Sequence, residues 1–248
     1  MNTHGFTHVG DCRIATGISA APLNSLEVTG RAATHVREVA DPQCVLHTEA
    51  AEALLAMRNE ARNAGLELKV VSAFRDFNHQ LAIWTAKFNG QRTLLDAAGR
   101  PVNRANLYES ALIDAILTWS ALPGASRHHW GSEVDVIDAV ALPAGVRPQL
   151  TAAEFAPEGY FGRLNGWLDS NMGRFGFFRP YSTWQGGVQP EPWHLSYAPV
   201  SVAALRVLSL EVLGEAIAQA DMPGRQTVLA RLPELYARYV LAVDTPAS

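Results

Sequence analysis

The stretch SRHHWGSEVDVID, residues 126–138, joins a turn to a strand pattern and carries several side chains that can bind a metal. Two adjacent histidines, His128 and His129, precede Gly131, a residue type suited to a tight turn. The residues that follow alternate as in a half-buried strand: Glu133, Val134, Asp135, Val136 and Ile137. The chain must therefore fold around a strand that presents polar side chains on one face.

The remaining sequence predicts helices mixed with few strands. The first long helix is expected at 48–65, with Thr48 as its cap and Gly65 as its end. Further helices are predicted at 78–88, 107–122 and 162–176, and strands at 66–74 and 191–197. Two amphipathic helices, 201–220 and 225–243, are expected to form a C-terminal hairpin. The fold class that this pattern indicates is α+β.

These elements suggest three parts of the chain. We expect an irregular N-terminal segment at 1–46 that packs on the core, a central domain at 47–199 and a helical appendage at 200–248. At 248 residues the chain is long enough for one large domain with such an appendage.

Charge and composition exclude several function classes. The net charge is −4 and no basic run is present, so no nucleic-acid partner is expected. The chain has two lysines, Lys69 and Lys87, which argues against a polybasic membrane surface. No apolar stretch approaches the roughly 20 residues that span a bilayer, and the first residues do not resemble a signal peptide. Two interpretations follow: the protein is cytoplasmic, or a leader peptide has already been removed from this sequence.

The two cysteines, Cys12 and Cys44, leave two interpretations open. A disulfide between them would favour an oxidising compartment, whereas two separate thiols carry no such implication.

Common catalytic signatures are absent from the sequence. It contains no H-E-x-x-H, C-x-x-C, S-x-x-K or G-x-G-x-x-G motif and no P-loop. What remains is a set of nitrogen and oxygen ligands: His128 or His129, Asp135, Glu191 and His194. A catalytic zinc ion takes three such protein ligands and keeps one position open for water. A nearby carboxylate can then accept the proton of that water.

Spacing alone does not decide which histidine is the ligand. His129 has the parity of Asp135 along an extended strand, but a turn or bulge at Gly131 would reset that parity. Pro192 favours an extended conformation at Glu191, and a bent segment could present Glu191 and His194 to one centre.

The ordered motifs resemble those of the zinc D-alanyl-D-alanine carboxypeptidases of the vancomycin-resistance type. This family is related to lysostaphin-type peptidases and to the hedgehog signalling domain. Its pattern S-x-H-x-x-G-x-A-x-D, followed by E-x-W-H, is matched from Ser126 to Asp135 and by EPWH at 191–194. The upstream SAFRDFNHQ, 72–80, matches S-x-Y-R-[SD]-x-x-x-Q, and WLDSNMGRFGFFRPY, 167–181, is similar to a further family segment. The resemblance covers roughly residues 48–197.

The resemblance implies a small, mainly antiparallel sheet flanked by helices and a site for one Zn²⁺ ion in the central domain. It assigns the metal ligands as His128, Asp135 and His194. Glu191 is implied as the general base on the zinc-activated water and later as the acid for the leaving amine. Arg75 is implied to bind a substrate carboxylate or the developing oxyanion.

The family also implies a substrate and a location. The expected activity is release of terminal D-alanine from a peptidoglycan stem peptide or muropeptide, with an endopeptidase of the same mechanism as the alternative. The expected substrate contacts are Ser126, Gln80, Trp193 and His129. For His129 the alternative is a hydrogen-bonded neighbour of the cleft, and for Trp193 a core position. The periplasm or cell envelope is favoured, although the chain shows no signal peptide.

Three positions depart from the family pattern. Glu133 stands where alanine is usual, Phe74 where tyrosine is usual and Ser196 where arginine is common. These departures bear on substrate preference more than on zinc binding.

Two rival functions come from other classes. The hedgehog relationship suggests a zinc-binding recognition module without catalysis, but such a module needs neither Glu191 nor Arg75. A serine hydrolase is the other, because GASRH at 124–128 nearly matches a nucleophile elbow. That motif requires a preceding strand, whereas a helix end is predicted there.

Overall fold

The computed structural model describes residues 22–246. Its strands are β1 (Val36–Val39), β2 (Cys44–His47), β3 (Leu68–Ser72), β4 (Glu133–Asp138), β5 (Phe177–Phe178) and β6 (His194–Tyr197). Its α-helices are α1 (Ser25–Val28), α2 (Thr48–Asn63), α3 (Phe77–Phe88), α4 (Glu109–Leu117), α5 (Ala152–Phe155), α6 (Gly162–Asn171), α7 (Ala198–Val207), α8 (Leu210–Ala218), α9 (Arg225–Ala230) and α10 (Leu232–Tyr236). Short 3₁₀ segments lie at Arg104–Asn106, Arg127–Trp130 and Met172–Phe175, and a π turn at Ala237–Leu241.

The strands form two antiparallel sheets with helices around them. β1 and β2 make a hairpin, and a four-stranded sheet has the order β3–β4–β6–β5. This arrangement confirms the expected α+β class with small antiparallel sheets.

Strand β4 lies at the centre of the fold. Its residues from Glu133 to Asp138 are all buried, so the prediction of a half-buried strand was wrong. Val134 and Val136 pack against α2 and α6 in one apolar cluster. On the opposite face, Glu133 and Asp135 contact the polar side chains of His128, Arg127 and His194. The alternation therefore separates an apolar face from a polar but buried face.

Local capping differs from expectation at the start of α2. The expected cap, Thr48, is the first residue of the helix, and the His47 side chain accepts the hydrogen bond from the Glu49 amide (3.3 Å). The end of the helix is as predicted, because Gly65 adopts φ +71°. Helix α4 ends at Leu117, earlier than its predicted end at 122.

The described part of the N-terminal segment is more regular than predicted. Helix α1 has a capping box between Asn24 and Glu27, and the β1–β2 hairpin follows it. The hairpin contacts the turn that precedes β4, since the His47 amide donates to the Gly131 carbonyl oxygen at 2.8 Å. Cys44 lies in β2, while its pairing with Cys12 falls outside the described residues.

The C-terminal region is helical, but it is not a two-helix hairpin. It comprises four helices, α7 to α10, and the π turn. The helices are interrupted at the predicted DMPG turn, and also at Ser209, which caps α8, and between α9 and α10. The apolar side chains of these helices share a cluster with α3, α4 and Trp130. Among residues 22–246, no helix combines the length and apolar character needed to cross a membrane.

Candidate metal centre and cleft

A left-handed glycine separates the predicted histidines from the strand. Residues Arg127–Trp130 form a 3₁₀ turn that ends at Gly131, with φ +65°. A Cβ atom at this position would lie 2.4 Å from Val36 Cγ1 and 2.8 Å from the His47 amide nitrogen. Only glycine fits here without rearrangement. The turn resets the side-chain parity and brings His128, rather than His129, to the polar face of β4.

The strand register brings the other two predicted ligands together. Asp135 on β4 lies directly opposite His194 on β6. His194 Nδ1 is 3.0 Å from Asp135 Oδ1, and His128 Nε2 is 3.4 Å from Asp135 Oδ2. One ligand atom from each of these three buried residues lies within 4.8 Å of the other two. The three side chains thus form a candidate metal site.

Each histidine has its second ring nitrogen anchored. His128 Nδ1 donates to the Ala73 carbonyl oxygen at 2.8 Å, which leaves Nε2 directed at Asp135. His194 Nε2 lies 3.0 Å from Glu133 Oε2, which leaves Nδ1 directed at Asp135. Such anchoring fixes the tautomer and the ring orientation that a metal ligand requires.

The chemistry of the donor set fits zinc. Two imidazoles and one carboxylate are a ligand set of catalytic zinc sites. Although burial opposes ionisation, His128 and His194 hold the pKa of Asp135 well below its usual range. Burial and the nearby Arg75 lower the pKa of His128 to about 4, so its imidazole is neutral. The ionised Asp135 and the neutral His128 suit metal binding. Burial lowers the pKa of His194, but its hydrogen bonds to Asp135 and Glu133 raise that pKa to about 10, so this ring must release a proton when a metal binds.

Glu191 lies beside this centre. It occupies the turn before β6, where the His194 amide donates to the Glu191 carbonyl oxygen at 3.1 Å. Its Oε2 is 3.6 Å from His194 Nδ1. Burial, together with the Asp135 carboxylate, raises the pKa of Glu191 to about 7, while His194 and Arg75 act in the opposite direction. A carboxyl group with such a pKa can both accept and return a proton near neutral pH.

Arg75 lies next to Asp135. Its guanidinium donates to Gln80 Oε1 at 3.1 Å and to Ser72 Oγ at 3.3 Å, and its NH2 group lies 3.6 Å from Asp135 Oδ2. Gln80 is fully buried and donates to the Ala121 carbonyl oxygen at 2.9 Å. The position of Gln80 therefore differs from the expected substrate contact, because its amide orients Arg75 from behind the cleft.

His129 also lies behind the cleft. Its Nδ1 donates to the Arg75 carbonyl oxygen at 2.6 Å, and its Nε2 accepts from the Gly124 amide at 3.2 Å. Burial lowers the pKa of His129 to about 3. With both ring nitrogens bound to backbone, His129 has no group left for a substrate, so the expectation of a substrate contact is corrected to a structural position.

The predicted site residues other than Gln80 and His129 line one cleft of about 510 Å³. Ser126 and Trp193 contribute to its wall, and Trp193 stacks on Trp119 with 6.4 Å between ring centroids. Trp193 is at the same time buried in an apolar cluster, so it also occupies the core position that was the alternative for it. The charged and histidine side chains around the cleft are Arg75, His79, Lys87, Arg92, Arg127, His128, Asp135, Glu191 and His194. The cleft therefore combines the candidate metal site with several cations.

Two residues of this site were not assigned a role from the sequence. Lys87 has one hydrogen bond in the described part of the chain, from Nζ to the Trp119 carbonyl oxygen at 3.2 Å, and no ion pair there. Glu133 contacts a predicted ligand and was visible only as a departure from the family pattern. The motif spacing could have indicated Glu133, because it lies two residues before Asp135 on the same strand face.

Comparison with known proteins identifies relatives of the chain. An uncharacterized protein of Haemophilus influenzae is 35% identical over 126 residues, which are 50% of this chain and 96% of the relative. A D-alanyl-D-alanine carboxypeptidase of Enterococcus faecalis is 37% identical over 89 residues, or 35% of this chain and 27% of that protein.

A solved structure also aligns with the chain. It is a point mutant (glutamate to alanine) of a vancomycin-resistance D,D-pentapeptidase, VanY of a VanB-type resistance cassette, in complex with Zn(II). Its identity is 24% and its TM-score 0.47, over 75% of this chain and 92% of that one.

A sequence profile decides the family. The profile described as VanY, D-alanyl-D-alanine carboxypeptidase, matches residues 43–200, which is more than half of the chain. This match spans the polar face of β4, the Glu191 turn and Arg75. The protein therefore belongs to the VanY D-alanyl-D-alanine carboxypeptidase family of peptidoglycan peptidases.

Proposed function

We propose that the protein is a zinc-dependent carboxypeptidase that releases the terminal D-alanine of peptidoglycan stem peptides. The observation that carries the proposal is the placement of Glu191 beside His194 and of Arg75 beside Asp135, in one cleft. Family membership supports the substrate class. A location in the cell envelope, where that substrate occurs, is part of the proposal.

The three candidate ligands would hold one zinc ion. Zinc bound there supplies a Lewis acid that polarises a carbonyl oxygen and makes water acidic. Glu191 accepts the proton of the attacking water and returns it to the leaving amine, a dual task that its buried carboxyl suits. Arg75, held by Gln80, directs its guanidinium at the developing oxyanion.

Lys87 supports an exopeptidase rather than an endopeptidase. A half-buried ammonium without an ion pair is costly unless a ligand supplies the counter-charge. Lys87 shares the cleft with Glu191, whose carboxylate raises the Lys87 pKa against the dominant effect of burial. We assign Lys87 to the terminal carboxylate of the substrate, with Arg92 at the same wall. Arg75 is then free to act on the oxyanion.

Two synthetic stem peptides test the proposal. We expect mass spectrometry to detect loss of one alanine from the pentapeptide and not from the tetrapeptide, and we expect a chelator to abolish the loss. Alanine release from the tetrapeptide alone would replace the D,D-specificity by an L,D-carboxypeptidase activity. Cleavage of cross-linked muropeptides without release of terminal alanine would favour the endopeptidase. Zinc binding without any hydrolysis would favour the recognition module.

A further inference from the structure

Glu133 lies directly behind the candidate ligand His194. Alternation along β4 places Glu133 and Asp135 on one face, opposite Ser196 and His194 of β6 in the strand register. The Glu133 side chain is 0% exposed, and its Oε2 lies 3.0 Å from His194 Nε2. The His194 ring is therefore enclosed by Asp135 across from it and by Glu133 diagonally.

The two contacts of His194 divide its ring between two tasks. A neutral imidazole that donates from Nε2 to a carboxylate can offer the lone pair of Nδ1 to a metal, and Nδ1 of His194 is directed at Asp135 and Glu191. A carboxylate bound to the outer nitrogen of a metal-binding histidine fixes the ring and makes its inner nitrogen more basic. Glu133 has the contact that this effect requires.

A buried polar network compensates the Glu133 charge. Its Oε1 lies 2.9 Å from Ser196 Oγ and 3.2 Å from Ser132 Oγ. The Arg127 guanidinium is 3.3 Å from the same oxygen and donates to Ser196 Oγ at 2.7 Å. Arg127 is itself buried and lies 4.6 Å from the centroid of the Trp130 ring. A buried carboxylate is tolerated when it is paired and hydrogen-bonded in this way.

Two departures from the family pattern meet in this network. Positions 133 and 196, where the family pattern has alanine and commonly arginine, are direct cross-strand partners. Glutamate at the first position and the short Ser196 at the second hydrogen-bond to each other. Because the two positions are paired in the strand register, the two departures from the family pattern form one local arrangement. This arrangement adds one carboxylate, that of Glu133, next to a candidate metal ligand.

We propose that Glu133 is a positioning residue, which orients His194 for metal binding through its contact with Nε2. This inference rests on the proposed metal site, but not on the identity of the substrate.

Zinc affinity tests the proposal without reference to hydrolysis. We expect Glu133→Ala to lower zinc affinity by about 10- to 100-fold in competition with a chromophoric chelator. Glu133→Gln, which keeps the shape and an oxygen acceptor but loses the charge, should give a smaller loss. Cobalt substitution of both variants should shift the visible absorption bands of the bound Co²⁺, because the ligand ring is held differently.

Asp138→Asn is the matched control. Asp138 is a buried carboxylate on the same strand, but it accepts from the backbone amides of Glu67 and Val140 rather than from a ligand. Its substitution should lower stability and leave zinc affinity and the cobalt spectrum unchanged. Equal effects of Asp138→Asn and the Glu133 variants would reduce Glu133 to a structural residue and overturn the proposal.

The outcomes separate this inference from the proposed function. Folded Glu133 variants that bind zinc as tightly as the wild type, with the same cobalt spectrum, would overturn the positioning role even if the enzyme releases alanine. Conversely, weakened zinc binding in these variants would support it even if the wild type hydrolyses no stem peptide. A wild-type protein that binds no zinc would overturn both.

Discussion

Glu191 differs from the three candidate ligands in its task, although it lies 3.6 Å from one of them. If it moves protons and does not hold the metal, Glu191→Gln should lower the rate of alanine release by about 10²- to 10⁴-fold. Zinc content per chain, measured by mass spectrometry of the metal, should stay at the wild-type level. The exposed Glu158→Gln serves as the control and should change neither quantity. A Glu191→Gln enzyme with normal turnover would contradict the assignment.

Lys87 is the residue that we expect to distinguish a peptide with a free C-terminal carboxylate from one whose C-terminus is blocked. Lys87→Met should lower kcat/KM for the pentapeptide by about 10- to 100-fold, the range expected for a lost charge-assisted hydrogen bond. The same substitution should change kcat/KM for the C-terminally amidated pentapeptide little, because this peptide has no terminal carboxylate. The exposed Lys69→Met controls for the loss of a lysine elsewhere. Equal losses with both peptides would remove Lys87 from carboxylate recognition.

The pH dependence of the same reaction has a definite sign. Burial lowers the pKa of Lys87 to about 8, and only the protonated amine attracts a carboxylate. In the wild type, kcat/KM for the free-acid peptide should therefore fall as the pH rises through about 8, because this parameter reports the free enzyme. The fall should be absent with the amidated peptide and in Lys87→Met. A pH profile unchanged by that substitution would speak against the role.

At the scale of elements, the turn at Gly131 joins the hairpin, the 3₁₀ segment and β4. Gly131→Ala would force a side chain into φ +65° and against Val36 and His47. We expect it to lower the free energy of unfolding by about 1–3 kcal/mol and to weaken zinc binding with it. Gly173→Ala, where no atom lies within 4 Å of the added Cβ, should stay within about 0.5 kcal/mol. Urea denaturation measures the free energy of unfolding of both variants. Equal losses in the two would contradict a special requirement for glycine at position 131.

The same turn shows what the sequence could and could not predict. Alternation predicted β4, and the composition of 191–197 predicted a strand there, because both depend on local backbone preferences. The turn at Glu191 limits that strand to β6, His194–Tyr197. The choice between His128 and His129 depended on the conformation of Gly131, which side-chain parity does not contain. Only the family pattern supplied that choice.

Positions behind the cleft were harder to predict than the ligands themselves. A motif shows that Gln80 and His129 are present, but not that backbone groups already occupy their polar atoms. The contact between Glu133 and His194 depends on the pairing of β4 with β6, which are 56 residues apart in the chain from Asp138 to His194. Such pairing follows from the tertiary fold rather than from local sequence.

At the scale of the whole molecule, the C-terminal helices belong to the packing that supports the site. Leu213 of α8 packs next to Gly124. Its Cδ1 would lie only 3.3 Å from a Cβ atom added at that glycine. The Gly124 amide in turn donates to His129, which binds the Arg75 carbonyl. Helical periodicity could not distinguish this arrangement from an appendage, since both have one apolar face.

Leu213→Ala tests whether residues 200–248 are an appendage. Leu213 is fully buried in the cluster that contains Trp84 and Trp130, so the cavity should lower the free energy of unfolding by about 2–5 kcal/mol. Tryptophan fluorescence and circular dichroism should report one shared transition. Leu241→Ala, at a leucine that is 48% exposed in the same region, should change the free energy by no more than about 0.5 kcal/mol. A separate transition for the helices, with an unchanged tryptophan signal, would instead support the three-part division, because an independent appendage transmits no loss of packing to the cleft.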